Sequence, residues 1–244
     1  MHGNEMQDPT ADKSTEEMKA PPGTQWYRTA LFRGGLLLAI SVFSLLTFLV
    51  ETTPSFPIDL QITQAIQTID SPIFAVLMRL ISWPGFLPQS VLIILLIAFT
   101  LSMYRLRWES VLSLLTALIS GITNQSVKYM IQRPRPASDL VDVFETLASY
   151  SFPSGHVMFY VTFFGFVWYV IYTVLKRSVQ RSLLLIFLGA LIILVGVSRI
   201  HLGQHWASDV LGAYLLGSLI LVGIIVVHQW SKTRFMLAKD TGKA

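Results

Sequence analysis

The chain has 244 residues, 53% of them hydrophobic and only 13% charged, with a mean hydropathy of +0.59. A soluble domain carries about 25% charged residues, so the composition excludes an ordinary soluble protein. The length also leaves no room for a membrane bundle plus a soluble domain of normal size. The net charge of +4 comes without a clustered basic face, which argues against a nucleic-acid partner, and zero cysteines exclude disulfides, thiolate metal sites and a cysteine nucleophile.

Residues 1–28 are polar and mixed in charge, with a Pro21-Pro22-Gly23 break. They read as a disordered cytoplasmic tail; a signal peptide would open on a basic stub followed by a short apolar core. Charge-free stretches then locate six membrane helices, at 34–50 (extended upstream from 29), 86–104, 110–127, 152–175, 182–197 and 210–230. A charge at the bilayer centre costs roughly 2.5–3.5 kcal/mol, and a span needs about 20 residues, so several ends run past their flanking charges. The segment 52–83 is interrupted by Pro54, Pro57, Asp59, Asp70, Pro72 and Arg79 and reads as an interfacial or extramembrane helical piece, not a seventh span. The expected architecture is an all-α, six-helix membrane bundle over 29–231, followed by a cytoplasmic tail at 232–244.

With both termini on one side, only Arg79, Lys128, Arg133, Arg135 and Arg199 of the 18 lysines and arginines fall on the other. The positive-inside rule therefore places both termini in the cytoplasm of a multi-pass cell-membrane protein. Four of those five outer cations lie in, or next to, three stretches that carry chemistry. Lys128 to Pro136 leaves the third span, Ser151 to His156 enters the fourth, and Ser198 to Asp209 joins the fifth to the sixth.

These stretches supply the parts of a phosphoryl-transfer site. Lys128, Arg135 and Arg199 offer fixed positive charge to a phosphate, and an arginine fork can donate two parallel hydrogen bonds. Ser154 and Gly155 follow Pro153 at a helix start, where a hydroxyl can cap and backbone N–H groups can approach an anion. His156 falls in the first turn, where the helix dipole favours loss of its proton. His205 and Asp209 are four residues apart and share a face if that stretch is helical, so the carboxylate can orient one ring nitrogen and leave the other to attack phosphorus. His156 would then protonate the leaving alkoxide and later activate water. His201, His205 and Asp209 at four-residue spacing also raise a metal site, but Arg199 would repel a cation there. Arg133, between these positions, reads as a solvated or headgroup contact. Tyr104, Trp108, Tyr150, Trp206 and Trp230 read as an aromatic belt, and Gly212 and Gly217 as close-packing positions.

Lys128 with six residues before Arg135-Pro136, then Pro153-Ser154-Gly155-His156, then Ser198-Arg199 with five residues before His205 and three more before Asp209, resembles the tripartite signature of the type 2 phosphatidic acid phosphatases. That superfamily includes glucose-6-phosphatases and vanadium-dependent haloperoxidases, the latter disfavoured because they are soluble. The resemblance covers about residues 30–230. It implies a six-helix membrane fold and hydrolysis of lipid phosphates without a cofactor or metal. Phosphate would be held by Lys128, Arg135, Ser154, Gly155 and Arg199, with His156 as acid/base, His205 as nucleophile and Asp209 as its partner. The expected substrate is a lipid phosphate or diphosphate such as undecaprenyl diphosphate, phosphatidylglycerophosphate or phosphatidic acid. A lipid-linked phosphotransferase and a non-enzymatic lipid-phosphate carrier are the alternatives.

Overall fold

The computed structural model describes residues 22–53 and 55–241, with side chains over 29–234. The described residues through Leu38 belong to one unit and those from Ala39 to a second, which holds the candidate site described below. Most of the expected tail lies outside the described residues, although α1 (Pro22–Thr52) is helical from Pro22.

The described residues form eight helices and no strand. After α1 come α2 (Pro57–Gln67) and α3 (Pro72–Ser82), each begun by a proline at its first position, where the missing N–H costs nothing. Ser71 caps α3 by accepting from the Phe74 N–H. Together α2 and α3 form a broken pair bent by 120°. The segment expected at the interface is thus a helical elbow that packs inward, α3 against α7 and α2 against both α7 and α8. A tight turn over Trp83–Gly85 leads to α4 (Gln89–Met103), and α4 packs on α5 (Arg107–Ile131). The bundle is completed by α6 (Gly155–Val174), α7 (Val179–His201) and α8 (Ala207–Thr241).

Among the described residues, α1, α5, α6, α7 and α8 are long and apolar enough to cross a bilayer. At 15 residues, or about 22 Å, α4 is the short form of the second expected span. The protein is an all-α, multi-pass membrane bundle. Its centre is α6: 61% of its apolar window is buried, against 33% or less in the other four long spans. A helix apolar all round belongs in the middle of a bundle, and Val157, Met158, Tyr160, Phe163 and Phe164 lead the main core cluster.

The buried face of α5 is polar instead, with Ser113, Thr116, Ser120, Asn124 and Lys128 in a stripe. Ser113 and Thr116 donate to carbonyls three and four residues earlier. Small hydroxyl residues of this kind satisfy themselves and let neighbouring helices approach closely. The stripe runs up to Asn124 and Lys128, which enter the site. On α8 the small residues do the same: a Cβ at Gly212 would lie 2.4 Å from the Phe152 ring, and one at Gly217 3.1 Å from Val161.

Candidate active site

The three sequence stretches are stitched together by their own backbones. Ser151 N–H donates to the Arg133 carbonyl at 2.9 Å and Ser154 N–H to the Asp209 carbonyl at 3.3 Å, and the Arg135 side chain adds a bond from Nη1 to the Gln204 carbonyl at 2.5 Å. Asn124 of α5 donates to the Pro153 carbonyl at 3.0 Å, fixing the start of α6. A glycine is required at 203, where φ is +64° and a Cβ would meet the Asp142 carbonyl oxygen at 2.1 Å.

Asp209 is held by three donors. Its Oδ1 accepts from Arg133 Nη1 at 2.5 Å; its Oδ2 accepts from Ser151 Oγ at 2.5 Å and from the Trp206 N–H at 2.9 Å. The last bond is the carboxylate half of a capping box, because Asp209 is the third residue of α8. His205 lies in the turn before that helix, not on it, so the shared helical face expected from the four-residue spacing does not form. The pair still faces one another, with His205 Nδ1 3.5 Å from Asp209 Oδ2. That separation is longer than a formed N–H···O bond. On the other side of the ring, Arg135 Nη1 stands 3.2 Å from Nε2. A guanidinium can only donate, so Nε2 carries the lone pair and Nδ1 the proton. Burial, and then the charges of Arg135, Lys128 and Arg199, hold the imidazole well below its usual value of 6.5. It is therefore a neutral base at pH 7.

The cations are placed by different means. Arg199 is fully buried, with Nη1 donating to Ser82 Oγ at 3.2 Å, and Ser82 Oγ lies 2.6 Å from Ser198 Oγ. Lys128 donates to the Tyr150 carbonyl. Arg135 donates to the Ser149 carbonyl and hydroxyl at 2.6 and 2.9 Å, to the Tyr150 carbonyl at 3.3 Å, and to His205. His156 is within electrostatic reach of Arg199, His205, Arg135 and Lys128. Its ring meets Phe86 edge-on at 4.6 Å.

Ser154 occupies the N-cap position of α6, but its hydroxyl makes no capping bond. Ser154 Oγ, His156 Nε2, and Nε and Nη2 of Arg199 are all buried without a hydrogen-bond partner among the described residues. Buried polar atoms are almost always paired, and these four unpaired ones fall on three residues that the sequence assigns to phosphate binding and proton transfer. Gly155 keeps that helix start open on the side of Asn124, whose Oδ1 would lie 3.2 Å from a Cβ.

Several expectations change. Arg133 is buried at 1% exposure, not solvated: Nη2 binds Asp59 at 2.8 Å while Nη1 binds Asp209 and Ser208 Oγ. Asp59, on the buried face of α2, also accepts from the Ser208 N–H and hydroxyl at 2.8 and 2.6 Å. Trp206 does not belong to an aromatic belt; it is buried and donates to the Pro134 carbonyl. His201 stacks edge-on against Phe74 and lines a separate cavity of about 320 Å³ with Gln67, Arg79 and Asp142. Among the described residues no group of three or more His, Cys, Asp or Glu side chains is arranged to hold a metal ion. His228 is buried between Tyr169 and Glu109.

The PAP2 superfamily profile matches residues 109–233, which contain all three stretches. Phosphatidylglycerophosphatase B of Bacillus subtilis is 33% identical over 129 residues, 52% of this chain and 62% of its own length. The enzyme of that name from Haemophilus influenzae is 36% identical over 81 residues, 33% of this chain and 34% of its own. The chain thus aligns with less than two thirds of either relative. The crystal structure of the transmembrane PAP2-type phosphatidylglycerolphosphate phosphatase from B. subtilis superposes with a TM-score of 0.70 at 26% identity, covering 80% of this chain and 96% of that one. Aquifex aeolicus LpxE shares the fold, with a TM-score of 0.58 at 20% identity, over 71% of this chain and 98% of that one.

Proposed function

Because the chain belongs to the PAP2 superfamily, we propose that it is a membrane-integral lipid phosphatase that hydrolyses a phosphate or diphosphate headgroup through a phosphohistidine on His205. The observation that carries this reading is the state of His205: a buried neutral imidazole, its Nδ1 facing a carboxylate fixed by three donors, its Nε2 lone pair among cations. A nucleophile held by a general orienter is the arrangement that covalent catalysis needs.

In the first half-reaction His205 Nε2 bonds to phosphorus as the P–O bond to the leaving group breaks. His156 gives its proton to the departing oxygen. Arg199, Lys128, Arg135 and Ser154 supply donors to the three equatorial oxygens, where charge is concentrated. In the second half, water loses a proton to His156 and attacks phosphorus, the N–P bond breaks, and inorganic phosphate leaves. Arg133 and Asp59 act behind the reacting groups by holding Asp209.

Phosphatidylglycerophosphate is the first substrate to test, given the names of the two curated relatives; undecaprenyl diphosphate and phosphatidic acid are the comparison set. The loop charges further imply that both termini are cytoplasmic and the site opens at the outer headgroup level.

The test is phosphate release from that panel by purified protein, with a rapid quench in base to trap acid-labile phosphohistidine. Label on His205, and loss of both label and turnover in His205→Ala, are expected. A His205→Ala protein that turns over at the wild-type rate would overturn the mechanism. In sealed vesicles of known orientation, hydrolysis confined to inner-leaflet substrate would overturn the topology.

A further inference from the structure

The reacting atoms are shut in: Arg199 and Ser154 are fully buried and His205 nearly so. A headgroup therefore enters only if something moves, and two covers meet over the site. One is polar, the Ser149–Tyr150 backbone whose carbonyls are bound by Lys128 and Arg135. The other is apolar, the turn at 83–88 between α3 and α4. There the Phe86 ring lies edge-on to His156 at 4.6 Å with the Arg199 guanidinium over it at 5.4 Å. Gly85 presses so closely that a Cβ would stand 2.3 Å from His156 Cδ2.

We propose that the turn at 83–88 is the membrane-side entrance to the site, and that Phe86 sets its preference for membrane-embedded over water-soluble phosphate esters. The proposal rests on the phosphatase reading above. Phe86 is the turn's inward residue, whereas Trp83 and Leu87 on either side are 53% and 77% exposed. Beyond them α4 presents Val91, Leu92 and Leu95 outward, a surface suited to lipid. A substrate with its phosphate among Lys128, Arg199 and His205 and its chain in the bilayer must cross this boundary with its first carbons.

Crossing at the Tyr150 side would lay methylenes against two cations and bare carbonyls, and bury those groups without their partners. Crossing at Phe86 exchanges one apolar contact for another. The Phe86 backbone is tied down, its N–H donating to the Trp83 carbonyl at 3.3 Å and its carbonyl accepting from the Ser90 N–H at 2.8 Å, whereas the side chain over the site is held by ring contacts. When the ring swings outward it uncovers His156 and Arg199 together, the acid and a phosphate ligand. A soluble ester has no chain to replace the ring and gains nothing from this surface.

The experiment compares kcat/KM for a long-chain phosphatidic acid in mixed micelles with kcat/KM for p-nitrophenyl phosphate, in wild type and Phe86→Ala. Removing the ring opens the site to the soluble ester and takes away the lipid's contact, so the lipid-to-soluble ratio is expected to fall about fivefold or more, the scale of a modest apolar contact in a specificity pocket. A smaller fall, no change or a rise overturns the entrance. Where Phe86→Ala does not elute as the wild-type species, Phe86→Leu keeps an apolar side chain, removes the ring and is read by the same ratio. Wild-type protein that releases phosphate from neither ester overturns the phosphatase reading and this proposal with it. Active wild type with an unmoved ratio overturns the entrance alone.

Discussion

Arg135 Nη1 lies 3.2 Å from His205 Nε2, so the nitrogen assigned to attack phosphorus already accepts a hydrogen bond from a cation assigned to hold phosphate. The contact fixes the tautomer and disfavours protonation of the ring. In the proposed mechanism, substrate binding draws the guanidinium from nitrogen to phosphate oxygen.

A pH profile reads this contact. Burial and then Arg135 depress the His205 pKa, so the reactive neutral form persists below pH 6.5. Arg135→Gln removes a depressing charge and moves that pKa back up. The acid limb of kcat/KM should then shift to higher pH, while turnover at the optimum falls roughly a hundredfold, as for loss of one transition-state donor. Arg135→Lys keeps the charge and should leave the acid limb near its wild-type position. An Arg135→Gln limb that stays put or moves to lower pH removes the contact from the argument.

The clamp behind Asp209 predicts a stability effect of a different size. Arg133 is buried between Asp59 and Asp209 at 2.8 and 2.5 Å. Arg133→Ala leaves two buried carboxylates without their shared cation, and breaking a buried pair typically costs about 3–5 kcal/mol. The thermal transition in detergent should drop by many degrees, and phosphate release should drop with it because Asp209 loses its anchor. Asp59→Asn keeps the shape and one acceptor and should be milder. An Arg133→Ala protein with an unchanged transition would show that the three charges do not act as a unit.

How much of this was legible in the chain depends on distance along it. Charge-free length marks the spans directly, because one charge in lipid is costly. His156, Arg199, His205 and Asp209 stand out because their spacings within each stretch are short. The burial of Arg133 is not legible because exposure is not written in sequence position: α5 ends at Ile131, Gln132 turns the chain with φ +51°, and the side chain two residues before Arg135 is delivered inward. Asp59 was invisible as a site residue because its partners lie 74 and 149 residues away. The available signal was an unpaired carboxylate in an otherwise apolar helical period, beside two more outer cations, Arg79 and Arg133, than the phosphate site needs. Residue type alone points Trp206 to the interface, although a fold can bury the ring wherever its N–H finds a carbonyl.

His156 as leaving-group acid makes a prediction that depends on the ester. His156→Gln should cost roughly a hundredfold to ten-thousandfold in kcat/KM toward a lipid phosphate, whose alkoxide needs a proton to depart. Toward p-nitrophenyl phosphate, whose phenolate leaves without one, the loss should be smaller. Trapped phosphohistidine should rise with that substrate, because the water step still lacks its base. Equal losses with both esters would assign His156 to phosphate binding instead of proton transfer.

The last prediction concerns a residue with no functional group. A Cβ at Gly85 would sit 2.3 Å from His156 Cδ2 and 3.0 Å from Nε2, far inside van der Waals contact. Gly85 lies on a turn whose neighbours Trp83 and Leu87 are exposed, so the backbone can give way without disturbing the α6 core. Gly85→Ala should therefore fold, with a thermal transition within a few degrees of wild type, yet displace the imidazole by a substantial fraction of an ångström. Misplacement on that scale near reacting atoms costs on the order of a hundredfold in rate. The loss should fall mainly on kcat, because Lys128, Arg135 and Arg199 keep their places, and it should shrink with p-nitrophenyl phosphate as it does for His156→Gln. A Gly85→Ala enzyme with wild-type kcat on a lipid phosphate would mean that His156 works from some position other than the one it occupies beside Phe86.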